Sequence, residues 1–124
     1  MSHISIISPI DIAVARRILR RRIEGTEWTP TCRARAAAIL TIFAEFILGA
    51  HTSGVISVSV LKRQSAIGVA LRSSIKAPGA HQASIDEMQS RLARVTDEAA
   101  ISLKGDYVMI DAQIWTDGKA IVHG

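Results

Sequence analysis

Between Arg33 and Ala50 the chain reads RARAAAILTIFAEFILGA, apolar on nearly every side of a helix. A helix without a solvent face is normally sandwiched between other elements, so this segment is expected to be the central helix of the core. Thr29-Pro30-Thr31 marks its start, a capping hydroxyl followed by a proline that has no amide donor to lose in the first turn. The helix is expected to run to about Gly49. It is not a membrane span: the apolar run from Ala36 to Ala50 is interrupted by Thr41 and Glu45 and falls short of the ~20 residues that crossing a bilayer requires.

Around this helix the hydrophobic period changes several times. Ile4 to Ile7 is a short β-branched run that stops at Ser8-Pro9, which predicts a brief strand and then a helix start. From Ile10 the pairs Val14/Ile18 and Leu19/Ile23 fall at four-residue steps, as in an amphipathic helix ending near Gly25. In VISVSVL, Ile56, Val58 and Val60 alternate with Val55, Ser57, Ser59 and Leu61, the period of a strand with one wholly apolar face. Lys62-Arg63-Gln64-Ser65 is expected to turn it back into a second strand from Ala66 to Leu71, with the turn type open for lack of an Asn-Gly pair. Ser73 to Gln82 reads as a loop.

Ser84 and Glu87 match a capping box, and Ile85, Met88, Leu92 and Val95 give a third helix one buried stripe. Ala100 to Leu103 and Tyr107 to Trp115 form a last hairpin around Lys104-Gly105-Asp106, with Val108, Ile110, Ala112 and Ile114 on one side. The tail from Thr116 to Gly124 either adds an edge strand through Ala120 to Val122 or frays. The expected fold class is therefore α+β: a two-layer sandwich, order βααββαββ, with three helices over one face of a mostly antiparallel sheet.

At 124 residues the chain fits one domain, 1–124, and a 48% hydrophobic content is enough to build its core. Cys32 is the only cysteine, which excludes an intramolecular disulfide and leaves no thiol partner for a zinc site. The start MSHISIISPID has neither the basic-then-apolar pattern nor the cleavage site of a secretory signal, so the cytoplasm is the expected location.

The net charge of +4 is concentrated, since five arginines fall within ARRILRRR. Arg16, Arg17, Arg20 and Arg21 are expected to form a cationic surface on the first helix, suited to an acidic protein partner. A small basic nucleic-acid-binding protein is the other use of such a cluster. Against it stands the lack of aromatic residues among the arginines, since stacking on single-stranded bases needs them. Trp28 and Trp115 are either exposed anchors for a partner or packing residues at a helix flank and a sheet edge. The apolar second helix and the uncovered sheet edges point to a homodimer.

His3, His51, His81 and His123 lack metal-site spacing, so no metal is expected. The acidic pairs Asp86-Glu87 and Asp97-Glu98 flank the third helix and suit its ends better than acid–base chemistry. Ser57, Ser59, Ser73, Ser74 and Ser84 have no nucleophile-elbow context.

The element order, with DIAVARRILRR in the first helix and AAAILTIFAEFILGAHTSGVISV from the second helix into the hairpin, resembles the anti-sigma-factor serine kinases of bacterial partner-switching systems. These belong to the histidine-kinase-like ATPases, and the likeness covers nearly the whole chain. It implies a Bergerat-like fold and a nucleotide site whose second-helix motif has a Glu as base and, four residues on, an Asn for magnesium. Thr41 stands at the Glu position and Glu45 at the Asn position. The hydroxyl of Thr41 cannot take up a proton near neutral pH.

The family's Asp-x-Gly-x-Gly loop, whose Asp reads adenine, corresponds to LRSSIKAPGA, with Ser73 or Ser74 at the Asp position and Gly79 the one glycine left. The short stretch from Gly79 to Ala83 leaves no room for the family's glycine-rich lid. The resemblance thus implies a degenerate, non-catalytic regulatory protein without nucleotide cofactor, whose partner is a signalling or sigma/anti-sigma component. The alternative is an ATP-dependent serine kinase with divergent motifs, in which Glu45 serves magnesium or acts as base.

Overall fold

The structure, a computed structural model, describes residues 2–25 and 27–117. Its elements are β1 (Ser2–Ile6), α1 (Ile10–Arg22), α2 (Pro30–Gly49), β2 (Gly54–Arg63), β3 (Ala66–Lys76), α3 (Gln82–Val95), β4 (Glu98–Lys104) and β5 (Tyr107–Trp115). The fold is α+β with the expected order βααββαββ, and the strands form one five-stranded antiparallel sheet in the order β1-β2-β3-β5-β4.

The register explains why one face of the sheet is dry. Ile4 lies beside Ile56, Ile56 beside Ser73, Ser73 beside Ile110 and Ile110 beside Ile101, so a single transverse row collects the inward residues of all five strands. Ile4, Ile56, Val58, Val69, Leu71, Val108, Ile110 and Ile114 are buried on this face under the helices. Against them α2 places Ala36, Ile39, Leu40, Phe43 and Ile47, all fully buried. Each such large apolar side chain stabilises the fold by roughly 1.5–3 kcal/mol. The opposite face carries His3, Ser57, Arg72 and Asp111, and among the described residues no helix covers it.

Local signals account for most boundaries. The Thr29 hydroxyl accepts from the Cys32 amide at 3.1 Å, with Pro30 at the first helical position. At the start of α1 the Asp11 carboxylate accepts from the amides of Ile7 (2.8 Å) and Ser8 (3.0 Å), which fixes the turn out of β1. In the β2–β3 turn the left-handed position falls on Gln64, φ +42°, where a Gly or Asn is more usual.

Four expectations are corrected. β3 runs on to Lys76, because Ser73 to Lys76 pair with Tyr107 to Ile110 of β5, so the loop is shorter than Ser73 to Gln82. α3 begins at Gln82 with His81 before it and no side-chain cap, which moves Ser84 and Glu87 inside the helix and leaves the capping box unused. β4 extends from Glu98 to Lys104 because each of its residues finds a partner on β5. Val14 is 47% exposed and faces outward, while Ala15 and Leu19 make the buried contact and Ile18 is only partly buried against the core. The expected edge strand at Ala120 to Val122 lies outside the described residues.

Candidate functional site

Two surfaces collect the residues singled out by sequence. One is a cavity of about 430 Å³ bounded by the C-terminal half of α2, the N-terminal half of α3 and the link from Ala77 to His81. The Ala77 amide donates to the Asp106 carbonyl at 2.7 Å and so anchors the link to the β4–β5 turn. Ile42, Phe46 and Met88 supply apolar lining, and Glu45, Glu87 and Arg91 supply charge. Arg91 Nη2 donates to Glu45 Oε1 at 3.2 Å, both side chains being well exposed, so the pair is worth at most about 1 kcal/mol.

Of the four positions implied by the kinase resemblance, the structure brings two to this cavity. Glu45 and Gly79 line it, and Gly79 has φ +80°, a conformation in which an L side chain is strained. Thr41 does not line it: its hydroxyl donates to the Ala37 carbonyl at 2.9 Å and accepts from Arg16 Nη2 at 2.9 Å. Ser73 is buried on the helix-facing side of β3 with its hydroxyl donating to the Val55 carbonyl at 2.8 Å, and Ser74 is exposed on the other face. Two carboxylates and one guanidinium, with His81 beside them, are the titratable groups of the lining. That balance opposes a polyanion such as a triphosphate.

The second surface is α1. Arg16, Arg17, Arg20, Arg21 and Arg22 are all exposed. Arg16 is tied to Thr41, whereas among the described residues Arg17, Arg20, Arg21 and Arg22 form no ion pair. Ile7, Ile10 and Val14 lie beside them, exposed by 70, 74 and 47%. Ile10, Val14, Arg17 and Arg21 recur at four- and three-residue steps and so form one outward stripe, apolar at its start and cationic at its end.

Neither tryptophan is exposed as an anchor would be. Trp28 is 3% and Trp115 8% exposed, so packing is the outcome for both. Trp115 lies against Gly68, where a Cβ would come within 2.7 Å of the indole, and the Arg63 guanidinium stands 4.1 Å from its ring centre.

Sequence reading missed a buried ion pair. Arg35, 3% exposed in the second turn of α2, donates through Nε to the Val95 carbonyl at 2.9 Å, and its Nη2 is 3.0 Å from Asp97 Oδ1. Asp97 Oδ2 accepts in turn from the Trp115 amide at 2.7 Å, so the Arg35 guanidinium ties α2 to the end of α3 and the Asp97 carboxylate ties α2 to β5. A signal was present: Arg35 falls on the stripe of Cys32, Ala36, Ile39 and Phe43, and a charge on a buried stripe requires a partner. Burial raises the Cys32 thiol pKa, with the Asp97 charge adding to the effect and Arg35 opposing it.

Among the described residues no three His, Cys, Asp or Glu side chains could hold a metal ion together. Among the described residues no helix is long and apolar enough to cross a membrane. No protein-family model matches the chain, and no curated protein is similar enough to count as a match, so the functional reading rests on geometry.

Proposed function

We propose that this protein is a non-catalytic regulatory module that binds another protein through α1. The observation that carries the reading is the combination on one helix of exposed Ile10 and Val14 with exposed arginines, of which Arg17, Arg20, Arg21 and Arg22 form no ion pair among the described residues. Exposed apolar groups grouped in this way mark interaction sites more often than isolated ones do. Free guanidinium groups next to them steer and orient an acidic partner. The matching surface is a segment with two or three apolar anchors followed by Asp or Glu.

In this proposal, which follows the resemblance to anti-sigma serine kinases, the module acts in a cytoplasmic bacterial partner-switching system, on a Bergerat-like scaffold whose nucleotide site has decayed. Support for the decay comes from Thr41 and Ser73, whose hydroxyls are spent on backbone carbonyls. Affinity capture with the intact chain and with Ile10→Asp and Arg17→Glu variants tests the proposal. An acidic partner lost with both variants is the expected result, and a partner held equally by all three proteins overturns it.

One observation favours a second reading, an ATP-dependent serine kinase. Glu45 and Gly79 line the same cavity, and a carboxylate there is able to ligate magnesium. Calorimetric titration with magnesium and ATP decides between the two: micromolar binding lost in Glu45→Ala supports the kinase, and no heat supports the degenerate site.

A further inference from the structure

Among the described residues the sheet ends on one side at β1 and on the other at β4, and the two edges differ. β1 has five residues, SHISI, with no acidic residue. β4 has seven, EAAISLK, and every one from Glu98 to Lys104 pairs in sequence with β5, so the strand has no bulge. It contains no proline and no charge between its ends, and six of its seven residues are exposed. Among the described residues no strand pairs with this edge, and of the devices that usually guard one it has only the charges at its two ends. The last described residues do not turn toward it: the Thr116 amide donates to Ile67 of β3, and Asp117 pairs with Arg63 of β2 at 3.1 Å.

The pattern along β4 is complementary to itself when reversed. Glu98, Ala100, Ser102 and Lys104 lie on the open face of the sheet, opposite Gln113, Asp111, Met109 and Tyr107, and Ala99, Ile101 and Leu103 lie on the helix-bearing face. An antiparallel second β4 centred on Ile101 sets Glu98 against Lys104 at both ends, on the same face. It also sets small Ala99 against Leu103, which is 47% exposed in the single chain. A parallel pairing in register sets like charge on like charge, and a one-residue slip puts the charged and apolar residues on opposite faces.

We infer that β4 is the site of homodimerisation, through antiparallel edge pairing of two copies about a two-fold axis at Ile101. The product is a continuous ten-stranded sheet, in the order β1-β2-β3-β5-β4 and its reverse, with the helices of both copies on one side. A seven-residue edge buries less surface than a standard interface, so the dimer forms in the micromolar range. α1 packs on β1, at the edge away from β4, and stays free for another protein. The inference is therefore independent of the function proposed for α1.

Sedimentation velocity on the full chain, from low to high micromolar concentration, tests it together with hydrogen exchange. The expected result is a shift from the 13.4 kDa monomer toward twice that mass, with amide protection that rises with concentration in residues 98–104. Glu98→Lys and Lys104→Glu, both at exposed positions, each weaken dimerisation by about tenfold, and the double exchange restores it. Mixing the two single variants also restores it. A chain that stays monomeric throughout, a dimer indifferent to the charge exchange, or protection gained on α1 and not on β4 would each overturn the inference.

Discussion

Arg35 Nη2 lies 3.0 Å from Asp97 Oδ1 inside the molecule, with the side chains 3 and 12% exposed. Removing one member of such a pair strands the other charge in a poorly solvated site. Arg35→Ala and Asp97→Ala are each expected to destabilise the protein by about 3–5 kcal/mol, measured by urea unfolding. Arg35→Met combined with Asp97→Asn costs less than the two single losses together, because no charge is left unpaired. A loss under about 1 kcal/mol in the single variants contradicts this account.

Gly68 is required by the approach of β5, not by its own backbone angle. A Cβ there meets the Ile114 carbonyl oxygen and the Trp115 ring at 2.7 Å, so Gly68→Ala forces strand or indole to move. The expected cost is about 1–3 kcal/mol, with a change in tryptophan fluorescence as Trp115 is displaced. Unchanged stability and emission would show that the indole has room to yield.

The Asp11 carboxylate is held below its ordinary pKa of 3.8, first by the Ile7 amide and then by the Ser8 amide. A group with a depressed folded pKa contributes stability above its unfolded value and loses it as pH falls through the folded one. That contribution is therefore complete at neutral pH, begins to fall below about pH 4 and is gone once the pH lies below the lowered folded value. Asp11→Asn is expected to flatten the acid limb of the stability profile in urea titrations at stepped pH, and an unaltered limb excludes the role.

Cys32 is buried and its pKa is raised, so the reactive thiolate is scarce at neutral pH. A disulfide reagent such as Ellman's should label the native chain slowly and the urea-unfolded chain at once. Rapid native labelling would mean that the start of α2 opens.

Exposure on α1 separates binding from stability. Ile10→Ser and Val14→Ser are expected to change unfolding free energy by no more than about 0.5 kcal/mol. Leu19→Ala on the buried side of the same helix costs about 2–5 kcal/mol. Circular dichroism melts check both.

Period and punctuation in the sequence were enough to place α2, the β2–β3 hairpin and the inward set of β5, since local dihedral preferences and burial act together there. Thr29-Pro30 starts a helix in almost any context, and the alternation from Val55 to Leu61 leaves one way to bury a face. The four residues assigned to a nucleotide site were a different matter. Whether Thr41, Glu45, Ser73 and Gly79 meet depends on how α2, β3 and the link after it cross, and only Glu45 and Gly79 share a wall.

Likewise Val14 and Ile18 have the same four-residue spacing as Leu19 and Ile23, and spacing does not say which stripe meets α2. Tertiary packing chose Leu19 and left Val14 in water. The length of β4 and the tie between Arg35 and Asp97 were settled the same way, by hydrogen-bonding partners 15 and 62 positions away along the chain at Gln113 and Asp97. The local sequence carries the periodicity of each element, but a partner's position is a property of the folded chain.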